Sequence, residues 1–312
     1  MTETDQHVSH MVAVRTIEDC RSVVRAVFPE LRVERVRFLA EGWDSCVFEI
    51  EDGVVFRFPK RKAVDQTLQT EIRLLPELAP LLPIPIPKFM YVSGPVGNHP
   101  WHAVGYQKLI GEPLHDIPLT PEIVAEIAPQ LAAFLKALHE FPVGRAQALD
   151  VPMFSPEQWL DRHKQLVTSA HGIIRDQVDA RTAGHFEAFW EKVFADPSST
   201  RYTPTLIHGD LSAEHVLIAD RQVTGVIDFG DAMVADLALD FAGFTNPVAW
   251  AILGHYDRRR RQGLWNRRRA YVHAVPLHAI AAGRELGLTE LVQQGLLGIR
   301  HLSEPRLNRE DR

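Results

Sequence analysis

"LIHGDLSAEHVLIADRQVTGVIDFGDAMVADLALDF", residues 206–241, places acids among short apolar pieces that read as strands. "TPTLIH" and "HVLIA" flank "GDLSAE", so Asp210 stands on a tight loop between two strands. His215 follows within the same loop, and Asp228 comes directly after a further apolar piece, "VTGVI". Gly230 lets the backbone turn sharply away from Asp228, leaving its carboxylate able to face an ion. The pattern predicts a strand hairpin that gathers Asp210, His215 and Asp228 at one edge as a base and metal cluster. Taken singly, each acid reads equally as a turn or capping residue, because Gly-Asp and Asp-Gly pairs are ordinary turn chemistry.

The rest of the chain bounds what such a cluster serves. With 312 residues, 46% of them hydrophobic, the chain is long enough for a sizeable core and two subdomains. A formal net charge of -6 draws it neither to nucleic acid nor to an anionic membrane, so the expected partners are small molecules. Cys20 and Cys46 are the only cysteines, too few for a disulfide framework and not in a metal-binding spacing. The N-terminal stretch has no signal-peptide core and no later run is long enough to span a bilayer, so the expected location is cytoplasmic.

Working outward toward the N-terminus, residues 32–60 read as two or three strands, with Asp52-Gly53 supplying the positive φ of a tight turn. "AVDQTLQTEIRLLPEL" (63–78) carries Leu68, Ile72 and Leu75 at helical spacing, predicting one helix on that sheet. Proline in "APLLPIPIPK" ends it and leads to a strand near "KFMYV". Beyond "WHAVGYQKLIGEPL" the pattern turns helical, with Ile123, Ile127, Leu131, Leu135 and Leu138 on one stripe and Pro129 bending it. A boundary near residue 111 divides an N-terminal lobe, 1–110, from a C-terminal lobe, 111–312.

"FLAEGWDSCVFEI", "VVFRFPKRK", "TEIRLL", "LIHGDLSAEHVLI" and "GVIDFGDAMVADLALDF" stand in the order found in kinases: a strand cation, a helix acid, a catalytic loop and an Asp-Phe-Gly. Together they resemble the aminoglycoside phosphotransferase family, especially its 2''-phosphotransferase branch. The resemblance covers most of the chain and implies an α+β, two-lobed, protein-kinase-like fold. By that resemblance a small β-rich N-lobe is expected to bind nucleotide, and a larger, mainly helical C-lobe to carry catalysis and acceptor binding.

Carried over residue by residue, the resemblance makes Asp210 the catalytic base and assigns His215 and Asp228 to Mg2+. Arg57 takes the place of the phosphate-binding Lys, a planar fork instead of a point charge, with Lys60 and Lys62 as rivals. Strand alternation turns Arg57 away from Phe56 and Phe58, so a strand Arg paired with a neighbour is the alternative. Glu71 matches the acid that pairs with that cation. Gly42 and Ser45 fall in the loop over the phosphates, although a single Gly reads as readily as a strand turn. The backbone of Lys108 to Ile110 matches the segment that holds the purine of ATP or GTP.

The implied reaction is transfer of a phosphoryl group to a hydroxyl of a small molecule, an aminoglycoside by resemblance, with a macrolide or a small metabolite as alternatives. Polycations need acids, yet residues 241–300 contain only Asp257, Glu285 and Glu290. "FAGFTNPVAWAIL" (241–253) is apolar and suits a greasier acceptor, whereas "DRRRRQGLWNRRR" (257–269) reads as a solvated helix face. Asp231 and Asp236 remain as acceptor-side carboxylates, joined by acids such as Asp161, Asp176 and Asp179. Asp236 reads also as a helix cap, and Asp240 as a brace for the catalytic loop.

Overall fold

Three phenylalanines explain the first sheet: Phe48, Phe56 and Phe58 are completely buried and alternate with polar or less buried positions along two paired strands. In the computed structural model, residues 14–304 are described apart from 43, 97–98 and 258–260. The fold is α+β, and the chain packs as two units. The first comprises residues up to Ile117 with Ala148–Val151 and Glu214–Ala232. The second comprises Pro118–Gln147, Pro152–Ala213 and Met233 onward.

In the first unit, α1 (Ile17–Val27) starts at a capping box in which Thr16 and Asp19 satisfy each other's backbone N–H groups. Strands β1 (Val36–Glu41), β2 (Ser45–Ile50), β3 (Val54–Pro59), β4 (Phe89–Ser93) and β5 (Ala103–Gln107) form an antiparallel sheet in the order β1-β2-β3-β5-β4. The turn into β3 places Gly53 at φ 73°, as Asp52-Gly53 predicted. Cys20 and Val24 of α1 pack with Phe48, Phe56 and Phe58 on one face of the sheet. Each such side chain contributes about 1.5–3 kcal/mol by leaving water.

Helix α2 (Lys62–Leu78) buries Leu68, Leu75 and Leu78, but the stripe also contains Glu71, an acid that periodicity alone would leave outside. Strand β6 (Glu112–Pro113) pairs with β8 (Val216–Ala219), and β8 with β9 (Gln222–Val226). That pairing is why 214–232, assigned from sequence to the C-terminal lobe, packs with the first unit.

The second unit is helical: α3 (Pro121–His139), α4 (Val143–Ala148, reaching the first unit at its last residue), α5 (Pro156–Gln177), α6 (Ala180–Ala195), α7 (Asn246–Tyr256), α8 (Arg261–Leu286) and α9 (Thr289–Leu302). Ile127, Leu131, Leu135 and Leu138 are buried on α3. Ile174, Trp190, Leu277 and Leu296 bring α5, α6, α8 and α9 into one core. Strand β7 (Thr205–Ile207) pairs with β10 (Met233–Ala235). This corrects the expected single hairpin: the strand before Asp210 belongs to a different sheet from the β8–β9 pair that carries His215 and Asp228. Among the described residues, no helix is long and apolar enough to cross a membrane.

Candidate active site

On the first unit, β3 turns Arg57 away from the phenylalanine core and toward α2, where its Nη2 donates to Glu71 Oε1. Nη1 donates to Asp228 Oδ1 across 3.4 Å. Burial opposes the charge on the guanidinium, but Glu71 and Asp228 outweigh it and hold Arg57 protonated. Burial also pushes the Glu71 carboxyl up to about 7, against the pull of Arg57 and with a further push from Asp228. Arg57 Nε is a buried donor with no acceptor among the described residues.

His215 and Asp228 stand at the same end of the β8–β9 hairpin because Ile227 N donates to His215 O at 2.9 Å. His215 Nε2 lies 3.8 Å from Asp228 Oδ2, and Asp228 keeps 53% of its side chain exposed. Its backbone sits at φ 66°, a left-handed conformation uncommon outside Gly and Asn, so the surroundings hold the carboxylate where it is. A Cβ on Gly230 would come within 3.5 Å of Asp228 Oδ1 and 3.6 Å of Glu71 Oε1. Loss of hydration, then the charges of Asp228 and Asp44, raise the Asp231 carboxyl above its ordinary range.

The rivals to Arg57 are placed otherwise. Lys60 Nζ donates to Glu41 Oε1 at 2.7 Å and to the Gly42 carbonyl at 2.9 Å, and Lys62 is exposed at the start of α2. Gly42 N donates to Ser45 O at 3.0 Å, closing the β1–β2 turn, and Ser45 is buried. Lys108 N donates to Gly53 O at 2.9 Å, whereas Ile110 is 80% exposed with its carbonyl accepting from Thr224 Oγ1.

On the second unit, Asp210 is exposed on the loop after β7. Asp240, fully buried, accepts the His208 N–H and the Gly209 N–H, both at 2.9 Å, and lies 3.0 Å from His139 Nε2. Burial alone would raise the Asp240 carboxyl, but the bond from His139, the charges of His139 and His208 and the backbone donors hold it below the usual range. Farther along the same segment, Gly243 bridges Ser212, and a Cβ there would collide with the Leu211 carbonyl and with Ser212. The stretch from Asp240 to Gly243 therefore grips the Asp210 loop on both sides.

That stretch is itself held by arginines. Arg268 is only 2% exposed and donates to the carbonyls of Phe241 (2.8 Å) and Phe244 (2.7 Å) and to Asn246 Oδ1 (2.9 Å). Arg267 donates to both oxygens of Asp236, at 2.7 and 3.1 Å, and Tyr271 OH donates to the same carboxylate at 2.8 Å. The expected solvated helix face is thus corrected at these two positions, because the 236–246 segment offers acceptors that must be satisfied in the interior. Asp236 also caps the 310 turn Leu237–Phe241 and is completely buried, so its carboxylate is taken up by the protein.

Other acceptor-side expectations read differently in three dimensions. Val248, Ala249, Ile252 and Leu253 of "FAGFTNPVAWAIL" are buried on α7. Asp179 caps α6 and Asp161 pairs with Lys164. His139, Arg267, Arg268 and Tyr271 were missed from sequence, since each meets its partner across a long separation and lies in an otherwise ordinary helical pattern.

Residues 35–273 match the phosphotransferase enzyme family designated APH. The chain belongs to that family. The phosphotransferase is similar to a homoserine kinase of Methylocella silvestris, 28% identical over 260 residues that span 80% of this chain and 75% of that one. Among solved structures it is similar to the GDP and kanamycin complex of APH(2'')-IIIa, at a TM-score of 0.82 and 25% identity, covering 90% of this chain and 97% of that one. The macrolide 2'-phosphotransferase MphH of Brachybacterium faecium shares the fold, at a TM-score of 0.70 and 22% identity over 89% and 97% of the two chains. The phosphotransferase is accordingly an enzyme that acts on an alcohol group, and its fold is the kinase-like one.

Proposed function

We propose that this phosphotransferase moves the terminal phosphoryl group of ATP or GTP, with Mg2+, to a hydroxyl of a small molecule, an aminoglycoside being the leading acceptor. The observation that carries the reading is the cluster of Arg57, Glu71, His215 and Asp228 on the first unit, the donor-side set of a kinase. The GDP and kanamycin complex of a structural relative supports both donor and acceptor class.

The residues present fit magnesium. Asp228 offers an exposed anionic oxygen with His215 beside it, and among the described residues no three ligand side chains form a closed cage. Magnesium is commonly held by one or two carboxylates together with water and substrate phosphates. When bound, it would offset charge on the phosphate oxygens. Arg57, fixed by Glu71, would meet phosphate through its guanidinium, with the Gly42–Ser45 turn over it. The backbone of Lys108 to Ile110 would hold the purine. Asp210, on a loop fixed by Asp240, would orient the acceptor hydroxyl and take its proton. Asp231 would stand on the acceptor side.

A second reading keeps the chemistry and changes the acceptor to a macrolide or small metabolite. Its support is the pairing of Asp236 with Arg267 and its hydrogen bond from Tyr271, which together occupy a carboxylate a polycation would use. The test is labelled phosphoryl transfer to a panel of aminoglycosides, macrolides and hydroxy amino acids, with ATP and GTP in parallel. Labelling of the aminoglycosides alone supports the first reading, and labelling of macrolides or hydroxy amino acids alone supports the second.

A further inference from the structure

The helical unit contains a cavity of about 230 Å³ between α5, α6, the 310 turn Pro197–Thr200 and α8. None of the residues proposed above for phosphoryl transfer lines it. Trp159, Phe189 and Trp190 supply aromatic surface, with Leu160 and Ala270 beside them, the kind of wall that takes a ring. An apolar cavity of roughly 150 Å³ is enough for benzene, so this one has room for a ring with a substituent.

What the wall offers to such a substituent comes from His163, a buried residue of α5 that also lines the cavity. Its ring stands among those of Trp159, Tyr271 and Trp190, at centroid distances of 5.2, 5.5 and 6.3 Å. Nδ1 lies 2.8 Å from the Trp159 carbonyl, which can only accept, so Nδ1 carries the proton and Nε2 presents a lone pair. Burial lowers the ring to about 4, which keeps it neutral at pH 7. Nε2 has no hydrogen-bond partner among the described residues, and it is not sealed off as the buried Nε1 of Trp190 is. Other polar groups of the wall are already engaged. Tyr271 OH donates to Asp236 and accepts from Trp159 Nε1 at 3.1 Å, while Ser198 Oγ donates to Asp196 and Ser199 Oγ to the Val193 carbonyl, both at 2.7 Å. A buried neutral acceptor beside aromatic surface is satisfied by a donor carried on a ring.

We propose that this cavity is a binding site for a small neutral phenol, in which the ring lies against Trp159, Phe189 and Trp190 and the hydroxyl donates to Nε2 of His163. Selection rests on that donated bond and not on the charged side chains of the wall. A ring of the same shape without a donor would displace water from Nε2 and leave it unsatisfied. The site is separate from the groups proposed for phosphoryl transfer, and binding is measured without nucleotide or turnover, so the two readings fail independently.

The test is ligand-observed NMR and calorimetry on the full chain at pH 7 with phenol and fluorobenzene, which are close in size and differ in the donor. A fragment of this size in such a cavity is expected to bind with Kd of about 1 mM. Phenol should bind about tenfold more tightly than fluorobenzene. Ala270→Phe, which fills the cavity from α8, should abolish phenol binding while unfolding stays cooperative. His163→Phe should keep ring binding and erase the preference between the two probes. A readout that needs no substitution is the Nε2 resonance of His163 in chain labelled with nitrogen-15 histidine, which should move further with phenol than with fluorobenzene. The proposal is overturned by equal affinity for both probes in the unaltered protein, by absence of phenol binding, by binding that persists in Ala270→Phe, by a preference that survives His163→Phe, or by an Nε2 resonance that responds alike to the two probes.

Discussion

Asp240 accepts the backbone N–H of Gly209, the residue before Asp210, at 2.9 Å while completely buried. One carboxylate therefore sets the start of the loop on which the proposed base is carried. Asp240→Ala would leave the His208 and Gly209 N–H groups and His139 without their buried acceptor, at a cost of about 3–5 kcal/mol. Asp240→Asn, which keeps the shape, isolates the charge. The folded pKa lies below the unfolded value of 3.8, so this contribution is present above pH 3.8 and is lost as pH falls through the folded value. Thermal unfolding should show a penalty for Asp240→Asn that is full at pH 7 and shrinks at pH 3. A penalty that is constant with pH would mean that Asp240 does not carry the charge assigned to it.

Arg57→Ala should raise the nucleotide KM and lower kcat, and Glu71→Ala should do so more mildly, because the acid acts by holding the cation. Lys60 is tied to Glu41 and the Gly42 carbonyl, so Lys60→Ala should change nucleotide KM less than Arg57→Ala. Steady-state kinetics on the three variants decide it. A larger loss in Lys60→Ala makes Lys60 the phosphate contact.

Asp228→Ala should weaken magnesium-dependent nucleotide binding more than His215→Ala, since an anionic oxygen suits a hard cation better than a neutral imidazole. Calorimetric titration with nucleotide, with and without magnesium, reads this directly. Two variants that titrate like the unaltered protein would place the metal elsewhere.

Arg268 acts on the Asp210 loop through the stretch that bears Asp240 and Gly243, which makes it a positioning residue. Arg268→Lys, which cannot fill three acceptors with one planar fork, should lower kcat about tenfold or more and leave nucleotide Kd unchanged. A fall in stability with kcat intact would reduce Arg268 to a structural role.

Much of this was legible in the sequence. The strands around Asp210, His215 and Asp228, the Gly53 turn and the helix after β3 all follow from alternation, turn chemistry and periodicity, which are local. Arg57 and Glu71 could be paired because their order matches a known pattern, although burial of Glu71 breaks the rule that acids face water. What stayed hidden depends on long separations. Nothing local to "NRRRAY" says that Arg267 and Tyr271 donate to Asp236 or that Arg268 fastens Phe241 and Phe244. The apolar run at 241–253 invited a reading as acceptor wall, but an apolar helix face can equally be core, and here Val248, Ala249, Ile252 and Leu253 are.

The most direct measurement is labelled phosphoryl transfer from ATP and GTP, with magnesium, to the panel of hydroxylated acceptors, comparing the unaltered protein with Asp210→Asn. The account predicts transfer to at least one acceptor. It also predicts that Asp210→Asn lowers turnover by about 10²-fold or more while nucleotide binding persists. Near-normal turnover in Asp210→Asn, or no transfer to any acceptor by the unaltered protein, would contradict it.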